Sequence, residues 1–200
     1  MKKTLKSLLA GVLAALLLVA VVPMDISVEA SAQEFTSGDY TYTVEKGKAT
    51  IIDVDDLITG KVVIPDTLDG YPVVCINTDA FSLLTEIEEV VIPNSVVSIR
   101  SSAFYKCINL KKITIGAGVS SISSEAFLKN TSIESISVDD GNEKYSSKDG
   151  VLFNKNKTKL IMFPCGNSAT EYVIPDGVKT IGANAFKYCT NLKNINRFKN

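Results

Sequence analysis

The residues that could support catalysis or metal binding are few, because this 200-residue chain contains four cysteines and no histidine. Without histidine, Ser-His-Asp and Cys-His catalysis and the usual histidine zinc sites are excluded. The carboxylate pairs Asp55-Asp56 and Asp139-Asp140 stand in predicted turns, where adjacent side chains do not converge on one substrate atom. No glycine-rich phosphate motif is present. We therefore predict no catalytic residue, no metal site, no cofactor and no enzymatic activity.

The cysteines divide into two kinds. Cys107 and Cys189 each follow a phenylalanine by three residues, whereas Cys75 and Cys165 lie in irregular stretches. The spacings of 32, 58 and 24 residues match no zinc motif. Cys107 and Cys189 are too far apart in the expected fold to pair with each other. An exported chain could oxidise Cys75 and Cys165, but we expect all four to be free thiols.

The elements that carry these residues come from an internal repeat of 23 residues. Residues 92–114 and 115–137 share every large apolar position, and two further copies follow the same frame. A period of this length is typical of a solenoid. Phe81, Phe104 and Phe127 recur at the period and should stack in a column, with a small alanine before each ring. Phe186 follows Phe127 by 59 residues, so one repeat contains an insertion.

The local pattern predicts one short strand per repeat. Leu110-x-x-Ile113-x-Ile115 alternates as a strand with one buried face does. One turn of chain cannot bury its own apolar face, so successive strands must stack in a parallel ladder about 4.8 Å apart. We expect loops or short helices on the return path of each repeat.

Several short motifs of the sequence are similar to those of a known family. The strand pattern L-x-x-I-x-I, the return I-P/G-x-x-V-x-x-I, the corner A-F-x-x-C-x-x-L and the stretch Lys148 to Lys155 resemble the BspA-like leucine-rich repeats of bacterial surface proteins. The resemblance covers residues 40–195. It implies a leucine-rich-repeat solenoid, with Cys107 and Cys189 in a small buried position. The predicted structural core is Phe81, Phe104, Phe127, Phe186, Cys107 and Cys189.

The predicted domain organisation has three parts. Residues 1–32 form a secretory signal peptide, because lysines precede an apolar run and Ala30-Ser31-Ala32 offers a cleavage site after Ala32. Residues 33–63 form a capping β-hairpin, and residues 64–200 form the repeats. A second β-hairpin is expected within the insertion at 139–173. The last repeat lacks an evident cap, so its strand edge could support self-association; otherwise the protein is a monomer.

The charge pattern bears on partners. The formal net charge is −1, which favours neither nucleic acid nor an anionic membrane as a partner, and no membrane span is expected after signal cleavage. On the solvent side of the ladder, charges alternate in sign from strand to strand. The candidate ligand-facing strip is Glu88, Glu89, Val91, Lys111, Lys112, Thr114, Glu134, Ser135 and Ser137.

Two functions are compatible with these features. The resemblance implies an exported, secreted or cell-surface protein that acts in non-catalytic recognition or adhesion, with an extracellular protein or glycan as ligand. The alternative is a passive scaffold or spacer of a longer surface protein, whose functional module lies beyond residue 200. In that case the alternating charges only hold the strands in register.

Overall fold

The computed structural model describes residues 32–197, so the predicted signal peptide lies outside the described residues except for Ala32. All of the regular structure in this range is β, and no helix is present between residues 32 and 197. The strands are β1 Glu34–Ser37, β2 Tyr40–Glu45, β3 Lys48–Val54, β4 Gly60–Val63, β5 Thr67–Leu68, β6 Tyr71–Ile76, β7 Ile87–Ile92, β8 Ser98–Ile99, β9 Lys112–Ile115, β10 Ser121–Ile122, β11 Ser135–Val138, β12 Tyr145–Lys148, β13 Val151–Asn154, β14 Lys159–Met162, β15 Glu171–Ile174, β16 Thr180–Ile181 and β17 Asn194–Arg197.

The main ladder contains one strand from each of four successive repeats. Its order is β4-β7-β9-β11, and all neighbours are parallel. The register aligns Val90 with Ile113, and Ile113 with Ile136, so the inward side chains form continuous buried rows. β15 and β17 add two more repeats as a separate parallel pair. The predicted leucine-rich-repeat solenoid is confirmed, with its strands in the expected register.

The return path of each repeat is made of turns and two-residue strands. β6, β8 and β10 form a second parallel ladder, and β14 pairs with β16 in the same way. The turn that follows each two-residue return strand or β6 or β14 is here called the corner, and it contains a phenylalanine. Each repeat is named after the phenylalanine at its corner. At the corner, Phe81 N–H donates to the Ala103 carbonyl at 2.8 Å and Leu83 N–H to the Tyr105 carbonyl at 2.8 Å. These backbone bonds, here called the corner ladder, satisfy groups that a helix would otherwise pair.

The phenylalanine column fills the interior beneath the corners. The ring centroids of Phe81 and Phe104 are 4.7 Å apart, and those of Phe104 and Phe127 are 5.3 Å apart. Phe163 occupies the corner of the inserted repeat, 23 residues before Phe186, and their rings are 5.6 Å apart. Phe186 is only partly buried.

The column is interrupted between Phe127 and Phe163, which make no ring contact within residues 32–197. Met162 stands where the other corners have alanine, and this larger side chain packs against the first part of the core. The interior is accordingly divided into two apolar clusters. Leu152 of β13 belongs to the first cluster, and its neighbours Val151 and Phe153 belong to the second.

The N-terminal cap is a three-stranded antiparallel unit, one strand larger than the predicted hairpin. β1 pairs with β2, and β2 pairs with β3 through the tight turn at Lys46-Gly47. β3 then pairs in parallel with β6, which places the cap at the end of the return-side ladder. Ile51 and Tyr42 are buried, so the cap shields the first repeat from water.

The insertion forms the second predicted hairpin and adds a strand to it. β12 and β13 are antiparallel around Asp149-Gly150, and β14 pairs antiparallel with β13. Ile136 N–H donates to the Gly150 carbonyl at 2.9 Å, so the insertion covers the edge of β11 that would otherwise meet the next repeat. This is why β15 does not join the main ladder.

The expectation of four free thiols is wrong for two of them. Cys165 and Cys189 form a disulfide, with their Cα atoms 4.3 Å apart, while Cys75 and Cys107 are free and buried. The spacing of the repeats excludes only the pair Cys107 and Cys189. Phe163 is itself at a corner, and this places Cys165 beside Cys189 of the next repeat. The disulfide also makes Cys189 a cross-link between two repeats rather than a buried thiol.

Candidate functional site

The ladder face is the solvent side of β4, β7, β9 and β11, and it contains the predicted strip. The register aligns Glu89 with Lys112 and Lys112 with Ser135, and in the next exposed row Val91 with Thr114 and Thr114 with Ser137. Strands alternate the direction of their side chains, so these residues point away from the buried isoleucines between them. The structure therefore brings the strip together on one surface.

Part of the charge on this face is used internally. Lys111 Nζ lies 2.9 Å from a Glu88 carboxylate oxygen, and Lys61 Nζ lies 2.9 Å from a Glu89 oxygen. The hydrogen bond from Lys111 to Glu88, and then the charge of Glu88, raise the pKa of the lysine. Lys61 on β4 was not in the predicted strip, since the first repeat is five residues longer than the others. These exposed pairs contribute little to stability but fix the cross-strand arrangement.

The remaining exposed groups are those available to a partner. Lys112, Glu134 and Ser137 are exposed, and Val63 extends the row of Val91 with a side chain that is 59% exposed. The face is a mixture of charged, hydroxyl and small apolar groups on a rigid sheet. Such a surface can bind a partner by many modest contacts, but it offers no reactive group.

The insertion limits the face on one side. A Cβ atom on Gly150 would lie 3.2 Å from the Ser135 Cα, and the glycine has a φ of +77°. The Asp149-Gly150 turn therefore rests directly on the last strand of the ladder, and only glycine allows this close approach. The insertion thus borders the ladder face at β11, the strand that carries Ser135 and Ser137.

A second, partly exposed surface lies at the corners and was not part of the predicted strip. The corners carry Tyr105, Lys106, Lys129, Lys187 and Tyr188, here called the tyrosine-lysine corner. Lys129 Nζ lies 5.3 Å from the centre of the Tyr105 ring and 5.9 Å from that of Tyr188. The hydrogen bond from Lys129 lowers the pKa of Tyr105. Lysines over aromatic rings are attracted by the ring electrons.

The corner backbone explains why these side chains align. The second residue after four of the five corner phenylalanines has a positive φ: Leu83 at 68°, Lys106 at 57°, Lys129 at 64° and Tyr188 at 71°. Cys165, at the same place after Phe163, does not share this conformation. A left-handed residue at the same place in these four repeats turns the chain outward in the same way. The recurrence of Y-K and K-Y pairs directly after phenylalanine was the available sequence signal.

The slot three residues after the corner phenylalanine holds polar groups inside the solenoid. Cys107 Sγ donates to the Phe81 carbonyl at 3.1 Å, and Asn130 Nδ2 donates to the Phe104 carbonyl at 2.7 Å. Burial raises the pKa of the Cys107 thiol to about 12. A thiol in this state is structural and does not act as a nucleophile at neutral pH.

No cluster of three or more potential metal ligands occurs among residues 32–197. Over the same range, no helix has the length and apolar character needed to cross a bilayer.

Comparison with solved structures places the fold among bacterial repeat proteins. A leucine-rich repeat protein from T. pallidum is 27% identical and has a TM-score of 0.56, with 82% of this chain and 71% of that chain covered. A leucine-rich repeat protein from Bacteroides ovatus is 25% identical, with a TM-score of 0.54 and coverage of 81% and 40%. The pneumococcal vaccine antigen PcpA is 20% identical and has a TM-score of 0.49. The match covers 84% of this chain and 65% of PcpA.

Comparison by sequence gives the family. No curated protein matches the chain. The sequence model of the family described as "BspA type Leucine rich repeat region" matches residues 60–168 and 162–200, in six copies. Its repeats account for the main ladder, the inserted repeat and the β15-β17 pair. The chain therefore belongs to the BspA-type leucine-rich-repeat family.

Proposed function

We propose that this protein is an exported recognition protein, which binds an extracellular protein or glycan through the ladder face without catalysis. The observation that supports this most directly is the register of β4, β7, β9 and β11. It presents rows of exposed side chains about 4.8 Å apart on a sheet whose other side is fully packed. A partner binding such a face meets preformed rows, so little ordering entropy opposes the contact.

Export is the part of this proposal that comes from the sequence. The lysines before the apolar run and the small residues at 30–32 are the features of a secretory signal. The Cys165–Cys189 disulfide is consistent with an oxidising compartment, since cytosolic thiols are kept reduced.

The alternative function is that of a scaffold or spacer that binds nothing itself. The ion pairs Lys61–Glu89 and Lys111–Glu88 favour it, because they satisfy charges of the ladder face internally. Lys112 and Glu134, which remain exposed and outside these pairs, favour recognition.

The two functions are distinguished by a binding screen with matched variants. The purified chain is applied to arrays of purified extracellular proteins and of glycans, together with Ser137→Lys and Lys112→Glu. The controls Ser121→Lys and Lys179→Glu make the same changes at exposed positions of the return path. Recognition by the ladder face predicts a ligand whose binding falls at least about tenfold in the first two variants only. If the chain is a spacer, Ser137→Lys and Lys112→Glu will not weaken the binding of any ligand on the arrays.

A further inference from the structure

The interruption of the phenylalanine column leaves a cleft between the Phe127 and Phe163 repeats. The cleft has a volume of about 40 Å³. Its apolar walls include Leu152, Met162 and Phe163, and its polar lining includes Ser123, Lys129, Asn130 and Lys187. The tyrosine-lysine corner borders it, because Lys129 and Lys187 belong to both.

The corner ladder is interrupted between the Phe127 and Phe163 repeats, and two backbone N–H groups of the Phe127 repeat are unpaired there. In the Phe104 repeat, Phe104 N–H donates to the Ala126 carbonyl at 2.9 Å and Lys106 N–H to the Leu128 carbonyl at 3.1 Å. The equivalent N–H groups of Phe127 and Lys129 have no acceptor among residues 32–197. By the geometry of the repeat they point toward the Phe163 repeat, hence into the cleft. An unpaired N–H costs free energy unless another group accepts its hydrogen bond.

Asn130, which lines the cleft, also leaves one hydrogen-bond acceptor without a partner. Asn130 is 3% exposed, and its Nδ2 donates to the Phe104 carbonyl at 2.7 Å. Its Oδ1 has no partner among the described residues. By contrast, the Oδ1 of the buried Asn142 accepts from two backbone N–H groups, at 2.9 and 2.7 Å. The Oδ1 of Asn130 thus lacks the hydrogen bond that a donor on a bound molecule would supply.

These groups together define the chemistry of an occupant. Two N–H donors and the ammonium groups of Lys129 and Lys187 favour an anion. The Oδ1 of Asn130 requires a donor such as a hydroxyl group. Tyr188, which is 37% exposed, offers a ring face beside the cleft on which a flat apolar surface can pack.

We propose that this cleft binds the acidic group and a neighbouring hydroxyl of an acidic sugar, carboxylated or sulfated, in an extracellular polysaccharide. The small volume admits the anionic group and one hydroxyl, while the sugar ring remains outside against Tyr188. An aspartate or glutamate side chain supplies the anion but no hydroxyl for Asn130, so an acidic peptide fits less well. The site lies at the corner and not on the ladder face, so it does not depend on binding by that face, although an extracellular ligand rests on the export proposed above.

The test is a titration of the ¹⁵N-labelled full chain, followed by NMR at the amides of Phe127 and Lys129. The probes are oligogalacturonate for carboxylated sugars, heparin oligosaccharide for sulfated sugars, dextran for neutral ones and polyglutamate for acidic peptides. We expect saturable shifts of both amides with one or both acidic sugars. Which of the two binds identifies the acidic group. Free glucuronate should bind more tightly than acetate, which has the carboxylate but no hydroxyl.

Matched variants separate this site from general charge attraction. Lys129→Gln and Lys187→Gln should each weaken sugar binding about tenfold, because each removes a charge-assisted bond. Lys106→Gln removes the same charge from a corner whose N–H groups are paired, and should change affinity less than about twofold. Equal losses in all three variants would overturn the proposal. Unshifted amides at saturating acidic sugar, or binding of dextran or polyglutamate equal to that of the acidic sugars, would overturn it as well.

Discussion

Phe104 has both faces of its ring covered by other rings and is fully buried. Stacked aromatic rings contribute beyond the area they bury, and a vacated site in a rigid solenoid cannot collapse easily. The column is therefore the place where a single side chain has the largest effect on stability.

We expect Phe104→Ala to lower the free energy of unfolding by about 3 to 5 kcal/mol, because it opens a cavity between two rings. Chemical denaturation followed by circular dichroism measures the change. Tyr71→Ala, which removes a ring that is 39% exposed, serves as the control and should cost only about 1 to 2 kcal/mol. Equal losses in the two variants would mean that the rings do not form a packed column.

Asp69, between β5 and β6, makes a pH-dependent contribution to stability through its contacts with the cap. Its carboxylate accepts hydrogen bonds from Tyr42 Oη at 2.6 Å and Ser37 Oγ at 2.8 Å, and these bonds lower its pKa from the ordinary 3.8. A carboxyl whose pKa is lowered by folding stabilises the protein above its unfolded pKa, and this stabilisation is lost as the pH falls through the folded value. Tyr42 shows the opposite shift: the bond to Asp69, then burial, raises its pKa to about 12.

We therefore expect Asp69→Asn to destabilise the protein at pH 6, and this effect to shrink as the pH falls below 3.8 through the lowered pKa of Asp69. On the alkaline side, the wild type should lose the contribution of Tyr42 between pH 10 and about 12. Denaturation midpoints across the pH range measure both effects. Asp66→Asn, an exposed position nearby, is the control; a pH-independent effect of Asp69→Asn would contradict the assignment.

At the scale of elements, the last two repeats depend on a covalent link. Cys165 and Cys189 close a loop of 24 residues between the Phe163 and Phe186 corners. A crosslink of this size restricts the unfolded chain and stabilises the folded one by about 3 kcal/mol in the chain-entropy view. The two free cysteines play a different part, since both are buried in the first half of the solenoid.

We predict that two thiols react with iodoacetamide in the unfolded, unreduced protein and that four react after reduction. The native protein should be unreactive near pH 8, because burial raises the pKa of Cys107 to about 12 and Cys75 is 5% exposed. Mass spectrometry counts the modified residues. Cys165→Ser with Cys189→Ser should lower the free energy of unfolding by about 3 kcal/mol. Four reactive thiols without reductant would exclude the disulfide.

At the scale of the whole molecule, the cleft divides the solenoid energetically. A repeat protein is stabilised by contacts between neighbouring repeats, so a weak junction permits one side to open before the other. Here the ring column, the corner ladder and the main sheet all stop at the same junction. The repeats before it form the larger apolar cluster.

Hydrogen exchange should therefore proceed in two stages. We expect amides of residues 163–197 to exchange faster than those of residues 87–136, and reduction of the disulfide to accelerate only the former. Exchange measured by mass spectrometry on peptides from the two ranges tests this. Uniform protection across both ranges would mean that the repeats unfold as one cooperative unit.

The sequence alone determined the repeat, the parallel ladder, both hairpins and the strip of the ladder face. These follow from apolar periodicity and turn residues, which act locally and recur in every copy. It also placed Glu88 opposite Lys111, because a fixed period gives the register of neighbouring strands. The strip was thus predictable as a surface, although Lys61 was missed where the first repeat departs from the period.

Only the tertiary structure decided how the repeats pack where the period fails. It showed that Phe163 is a corner, that Met162 replaces alanine beside it, and that Cys165 consequently meets Cys189. It also showed that the N–H groups of Phe127 and Lys129 and the Oδ1 of Asn130 remain unpaired at one cleft. The reason is physical: a repeat pattern specifies the contacts that every junction shares. The groups left without partners depend on how two unlike repeats pack together in space.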